Sequence, residues 1–180
     1  MSFGEKILDY KEDILKDLDE LLKIQSVSSK SQEDASEALK FILKRAEEMG
    51  LTTENVDDIA GHAEYGKGDE IAAVLSHVDV VPSGDGWSVE PFALTRKNGR
   101  LYGRGIADDK GPAIIALYCL KALKDSGVPF KRRLRTIFGA SEEVGMADMD
   151  RYFSKQPLPN MGFTPVSYTH LRAHETGRNL

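Results

Sequence analysis

A chain of 180 residues, 41% hydrophobic and 29% charged, has enough apolar material for one packed domain or part of one, and its composition is not that of a disordered segment. Its net charge of −5 argues against a general nucleic-acid binder and leaves room for an acidic metal pocket. A single cysteine, Cys119, excludes an intramolecular disulfide and a four-cysteine zinc knuckle.

From Glu5 to Ile24 the apolar residues Ile7, Leu8, Ile14, Leu15, Leu18, Leu21 and Leu22 recur at helical spacing and predict one amphipathic helix. A polar break, Ser26 to Ser31, separates it from a second helix over Ser31 to Met49, whose buried face is Ala35, Ala38, Leu39, Ile42, Leu43 and Ala46. Gly50 is its stop signal. Glu70 to His77 is a short continuous apolar run, which suits a strand buried on both faces. Pro82 to Trp87 is turn-rich. Leu101 to Gly105 leads through glycines into a helix over Asp109 to Asp125, inside which Cys119 reads as a small buried hydrophobe. Arg133 to Ala140 predicts another inner strand, entered through the basic and solvated string Lys131 to Arg135, and Glu143 to Phe153 predicts a helix. Strands alternating with helices give an α/β layered domain. No stretch reaches the ~18 apolar residues of a membrane span, and Met1 to Lys6 leads into no apolar signal core, so the expected address is the cytoplasm, with no membrane partner.

Three segments carry residues capable of chemistry. His77-Val78-Asp79 ends the first buried strand, where residues two apart share a face and a carboxylate can hold a histidine ring. Its plain alternative is a polar turn. Asp108-Asp109, flanked by Gly103, Gly105 and Gly111, precedes a helix and could simply cap it. Glu142-Glu143 follows the second buried strand and could simply face solvent. Together they place histidine and carboxylates at several strand ends, where open α/β sheets gather their sites, and this is a donor set that zinc accepts. Adjacent glutamates also suit a division of labour between a metal ligand and a proton acceptor.

In order and spacing these segments resemble the co-catalytic zinc peptidase family that includes aminoacylase, acetylornithine deacetylase and carnosinase, and within it the bacterial peptidase V-type dipeptidases. Val80-Val81-Pro82, Gly84-Asp85-Gly86-Trp87, Glu90-Pro91-Phe92, Asp108 to Pro112 and Asp150-Arg151-Tyr152-Phe153 extend the likeness over Glu5 to Pro165. The resemblance implies a layered α/β domain with a mixed, largely buried sheet flanked by helices, ending before a lid domain. It implies two divalent metal ions, zinc with manganese or cobalt as alternatives. His77 is then a ligand of one metal, Asp79 the carboxylate that orients it, and Asp108 a bridge between both metals, followed by a cis peptide bond. Glu142 is the general base and Glu143 a ligand of the second metal. The implied reaction is attack of a metal-bridged hydroxide on the amide of a dipeptide or short peptide with a free amino end. An N-acyl amino acid deacylase and a non-enzymatic remnant of the fold are the alternatives.

The likeness stops after Pro165. Val166 stands where the dipeptidases carry an aspartate ligand, and the string from Val166 to Thr176 reads as a translated transposase adapter from DNA library preparation. Residues 1–165 are therefore expected to be the front of a di-metal catalytic domain and residues 166–180 a foreign tail. His170 and His174, four apart within that tail, are read as a coincidence. Each metal would find only two ligands in this stretch, so the chain alone is expected to be poorly stable and inactive.

Overall fold

A computed structural model describes residues 3–165. The first three helices are α1 (Phe3–Leu8), α2 (Lys11–Lys23) and α3 (Gln32–Glu48). A hairpin of β1 (Thr52–Val56) and β2 (Ala60–Tyr65) leads to β3 (Ile71–His77) and a small separate hairpin of β4 (Thr95–Lys97) and β5 (Arg100–Tyr102). Then follow α4 (Lys110–Asp125), β6 (Arg133–Gly139), a 3-10 turn (Glu142–Val144), α5 (Ala147–Lys155) and β7 (Met161–Phe163). The main sheet has the order β1-β2-β6-β3-β7. It is mixed: β1, β2 and β6 pair antiparallel, whereas β6, β3 and β7 pair parallel.

The two faces of the sheet follow from the two-residue alternation of its strands. On one face Ala63 and Phe138 meet Leu21 and Leu22 of α2, Leu39 and Ile42 of α3, and Ile114 and Leu117 of α4, all completely or almost completely buried. On the other face Val56, Ala60, Ile71, Ala73 and Ile137 pack around Tyr152 of α5. Burial of large side chains in both layers, at about 1.5–3 kcal/mol each, drives assembly. Helix α3 starts where Ser31, in extended conformation, accepts the Asp34 N–H on its hydroxyl at 3.1 Å.

Several elements depart from the expectations. The predicted helix over Glu5 to Ile24 is two helices. Tyr10 leaves the helical path and its hydroxyl donates to Asp125 on α4 at 2.7 Å, so a long-range contact overrides a continuous apolar stripe. The predicted helix over Glu143 to Phe153 is a 3-10 turn and α5, separated by Gly145 and Met146 at φ 110° and 60°. Cys119 is half-buried, with its thiol pushed up by burial. The basic string is solvated at Arg132, which pairs with Glu70, but Arg135 is buried against Glu64 at 2.7 Å. Among the described residues no helix is long and apolar enough to cross a membrane.

On the α5 face a buried polar chain replaces part of the apolar packing. Arg135 donates to the Tyr152 hydroxyl at 3.0 Å, and that hydroxyl is hydrogen-bonded to His62 Nδ1 at 2.8 Å. Burial, then the positive charges of Arg135 and Arg133, push the His62 imidazole down to about 3. The folded protein thus holds His62 neutral, while the unfolded chain takes up a proton below about 6.5, so stability is lost as pH falls from that value. Between pH 7 and pH 5 this histidine should account for about 2 kcal/mol of lost stability. Guanidinium melts of the protein and of His62→Gln at both pH values check it: the variant should lose less stability over the interval by about that amount.

Candidate metal centre

Strands β3 and β6 run parallel and in register, with His77 opposite Gly139, so their carboxyl ends deliver His77 and the Ser141–Val144 segment side by side. Beyond β3 the chain stays pinned. Val78 donates to Gly139 O at 2.9 Å, the Ser26 hydroxyl donates to Val78 O at 2.7 Å, and Val80 N–H donates to Ser26 O at 2.9 Å. Asp79 is left fully buried between these contacts.

Asp79 uses both carboxylate oxygens. Oδ1 accepts the Glu142 N–H and Oδ2 the Glu143 N–H, each at 3.2 Å. The His77 Nδ1 lies 3.0 Å from the Asp79 main-chain oxygen and 3.3 Å from its Oδ1. Both acceptors face the same ring nitrogen, so Nδ1 carries the proton and Nε2 is presented outward. Nε2 lies 3.2 Å from Asp108 Oδ1 and 3.8 Å from Glu142 Oε2. Burial opposes charge on His77, but the hydrogen bond and charge of Asp79, with Asp109 and Glu142, push it up to about 10. Burial raises Asp79 less than its partners lower it, and its carboxyl is held below the ordinary range, first by the His77 bond. Glu143 is raised, by burial first and then by the charges of Asp108, Glu142 and Asp79, against the lowering effect of His77.

The aspartate doublet divides. Asp108 faces His77 Nε2, whereas Asp109 turns inward, is almost fully buried, and accepts the His77 backbone N–H at 3.1 Å. The peptide between them is cis. Burial pushes Asp109 up to about 6. The next two residues fasten this corner. Lys110 is fully buried and donates to Leu21 O at 2.9 Å and Ile24 O at 2.7 Å, tying the end of α2 to the start of α4. Burial pushes its ammonium down to about 7. A Cβ on Gly111 would stand 2.0 Å from Ile106 O, so only glycine allows α4 to begin this close to the preceding loop.

One ligand atom each from His77, Asp108 and Glu143 lie within 4.8 Å of one another. Zinc bonds to nitrogen and carboxylate oxygen are about 2.0–2.2 Å, so donors on one ion stand at most about 4.4 Å apart. The trio fits a divalent cation after small side-chain rotations. All five residues singled out in the sequence meet in one corner. Two residues were missed there. Lys110 lies in a stretch that carries the resemblance, but its anchoring role was not read, since a lysine in a helix start reads as solvated. Asp148 reads as a charged residue on a helix, yet it is fully buried. Its Oδ2 accepts the Ser141 N–H at 2.9 Å, its Oδ1 accepts the Met149 N–H at 2.8 Å, and its own N–H donates to the Ser141 hydroxyl at 3.3 Å. A Cβ on Gly139 would stand 2.2 Å from that Oδ2. Asp148 and Asp79 together therefore hold the N–H groups of Ser141, Glu142 and Glu143. His170 and His174 lie outside the described residues.

A family model described as Peptidase family M20/M25/M40 matches residues 73–166. The chain is 42% identical over 173 residues to YtjP of Bacillus subtilis (strain 168), a protein named as a candidate dipeptidase, covering 92% of this chain and 37% of that one. It is also 42% identical over 169 residues to a protein of the same description from Staphylococcus aureus (strain USA300), covering 89% and 36%. The chain thus spans little more than a third of the length of these relatives. Among solved structures it is similar to the di-peptidase Dug1p of Saccharomyces cerevisiae, with a TM-score of 0.72 and 26% identity over 85% of this chain and 37% of that one. An M20 family metallo-carboxypeptidase of Sulfolobus solfataricus shares the fold, with a TM-score of 0.74 and 24% identity over 84% and 37%.

The Asp148 contacts make a direct prediction. Asp148→Asn keeps the size of the side chain but turns an amide NH2 towards one of the two N–H donors. Guanidinium melts at neutral pH should show a loss of about 1–3 kcal/mol, the cost of a buried polar group left without a partner.

Proposed function

The chain belongs to peptidase family M20/M25/M40, and on that premise we propose that its protein hydrolyses dipeptides and short peptides with a free amino end, in the manner of a peptidase V-type dipeptidase. The observation that carries this is the convergence of His77, Asp108 and Glu143 within 4.8 Å beside Glu142. The relatives named as dipeptidases support the peptide as substrate over an N-acyl amino acid.

In this reading His77, Asp108 and Glu143 are the residues of this chain that would hold two divalent cations, His77 at one, Glu143 at the other and Asp108 at both. Zinc is favoured by the histidine-carboxylate set, which also accepts manganese or cobalt. Cations held there would supply Lewis-acid polarisation of the scissile carbonyl and a lowered pKa for the attacking water. Glu142 takes the proton from the attacking water and returns it to the leaving amine nitrogen, breaking the C–N bond. Asp79 keeps the proton of His77 on Nδ1 and, through the two N–H groups it accepts, holds Glu142 and Glu143 at their posts. Residues 1–165 supply part of each metal's ligand set and residues 166–180 are foreign to the protein, whose address is the cytoplasm. A genomic sequence that runs unchanged through the Pro165 codon into Val166 to Thr176 would overturn the statement about the tail.

The test uses the natural gene product that carries residues 1–165. Its hydrolysis of Leu-Gly or Ala-Ala should vanish on chelation and return with zinc, manganese or cobalt. Glu142→Gln should lower kcat by about 10²- to 10⁴-fold, the usual contribution of a positioned general base, at unchanged metal content. His77→Ala should lose bound metal as well. Undiminished turnover by metal-stripped protein, or by Glu142→Gln, would refute the assignment.

A further inference from the structure

Helix α5 is fastened to the sheet through its second half and to the metal corner through its first. In the second half Tyr152, fully buried, lies against His62 of β2 and Arg135 of β6, which are 3% and 4% exposed. Its hydroxyl accepts an Arg135 N–H at 3.0 Å and is hydrogen-bonded to His62 Nδ1 at 2.8 Å, and the Tyr152 and His62 rings meet edge to face at 5.8 Å. In the first half Asp148 accepts the Ser141 N–H at 2.9 Å, and just before the helix the Met146 N–H donates to Ser141 O at 3.0 Å. The polar ties of α5 to the β1–β2 hairpin are exposed: Arg151 and Lys155 with Asp57, and Gln156 with Glu54. Exposed pairs of this kind hold weakly. The buried chain through Tyr152 is therefore the strongest polar hold of the sheet on this helix.

That chain is poorly suited to an added proton. Glu54 of β1, His62 and Glu64 of β2, and Arg133 and Arg135 of β6 share this face of the sheet, because they pair across the ladder or lie two residues apart. Glu64 is engaged by Arg135 at 2.7 Å and by Arg133 at 3.6 Å, and Glu54 by Gln156 at 2.6 Å. From α5 the Tyr152 hydroxyl meets the ring. A proton on His62 would thus add a third positive charge beside two guanidiniums that share one carboxylate. The folded protein keeps the ring neutral, by burial first and then through Arg135 and Arg133. Lifting α5 gives the ring to water, where it takes up a proton below about pH 6.5. Each proton so bound favours the lifted state. Asp148 works in the opposite sense: burial raises its carboxyl, so it protonates more readily with the helix in place and opposes release at the acid end. Asp57, held low by Lys155 first and then Arg151, titrates well below neutral pH.

We propose that α5 is an acid-released latch on the segment that carries Glu142 and Glu143: protonation of His62 frees Tyr152, α5 lifts, and Ser141 loses Asp148. Asp79 then remains as the other hold on that segment. What the segment does rests on the function proposed above; the latch itself does not. The test follows amide hydrogen exchange in the natural gene product that carries residues 1–165, by mass spectrometry of peptides spanning 140–156, with each rate divided by the intrinsic chemical rate at its pH. The α5 amides and that of Ser141 should exchange together and far faster than those of β3 and β6, through a local opening. Their protection should fall about 10-fold between pH 7.5 and pH 5.5, the factor set by a group that titrates near pH 6.5 only in the lifted state. His62→Gln keeps an acceptor for Tyr152 but takes no proton, and its protection should change by no more than about twofold over the interval. Tyr152→Phe keeps the ring and loses the hydroxyl. It should exchange about 5- to 100-fold faster at both pH values and retain the pH dependence. An equal pH dependence in His62→Gln, exchange of α5 only at the rate of β3 and β6, or a Ser141 amide that stays protected while α5 exchanges would overturn the latch. A natural protein that binds no divalent metal would overturn the proposed function and leave this pattern of exchange as it is.

Discussion

A carboxylate with no access to solvent must find all its partners inside the protein, or burial costs more than a single residue can return. Asp79 meets that requirement with the backbone N–H groups of Glu142 and Glu143 and the ring nitrogen of His77. Two chain segments separated by more than sixty residues are thereby locked to one side chain. The geometry of the corner follows from this. The histidine ring cannot turn without abandoning Asp79, and the glutamates cannot move without exposing their N–H groups. The parallel register of β3 and β6 brings the segments to the same end of the sheet, and Asp79 fixes how they meet.

The electrostatics of the corner point the same way as the geometry. Asp79, Asp108, Asp109, Glu142, Glu143 and Asp148 crowd around one imidazole. Asp109, Glu143 and Asp148 are all raised, each by burial first. Asp79 is lowered because it is the carboxylate best supplied with donors. Repulsion of this kind is relieved either by protons or by a cation. The protein spends backbone donors on Asp79 and Asp148, at the rear, and leaves Asp108, Glu142 and Glu143 at the front only partly compensated. That asymmetry separates the carboxylates fastened to backbone N–H groups from those that the proposed chemistry uses.

How much was legible in the sequence depended on whether a residue's role is local. Helices α3 and α4 and strands β3 and β6 announce themselves by apolar spacing, because each buries a continuous face. The hairpin of β1 and β2 was not read at all. Its first strand is Thr52 to Val56, a polar edge strand exposed along most of its length, and the signal that survives is the pair Asp57-Asp58 in left-handed conformation at its turn. The break at Tyr10 depends on Asp125, more than a hundred residues away, and no local pattern encodes it. At the site, His77, Asp79, Asp108, Glu142 and Glu143 were visible because they cluster at strand ends and helix starts. Lys110 and Asp148 were invisible because their partners are main-chain groups brought close only by folding. For the same reason Asp108 and Asp109, alike in sequence, could be separated by chemistry only once one faced the ring and the other the backbone.

Helix α5 ties these threads together. Through Tyr152 it closes the polar chain with Arg135 and His62 that replaces apolar packing on its face of the sheet. One turn earlier Asp148 reaches back to Ser141 and holds the segment that carries Glu142 and Glu143. Met149 and, at its cap, Met146 line the cavity beside them. A nine-residue helix therefore carries a share of the fold's stability and the alignment of the acidic pair. Residues so linked do not contribute independently, and substitutions along α5 should couple with those in the Ser141–Glu143 segment rather than add to them. The strain at Met146 belongs in the same account. The cap could relax only by shifting the helix, and Asp148 and Tyr152 hold the helix in place, so the packing of α5 sustains a backbone state that Met146 alone would not adopt.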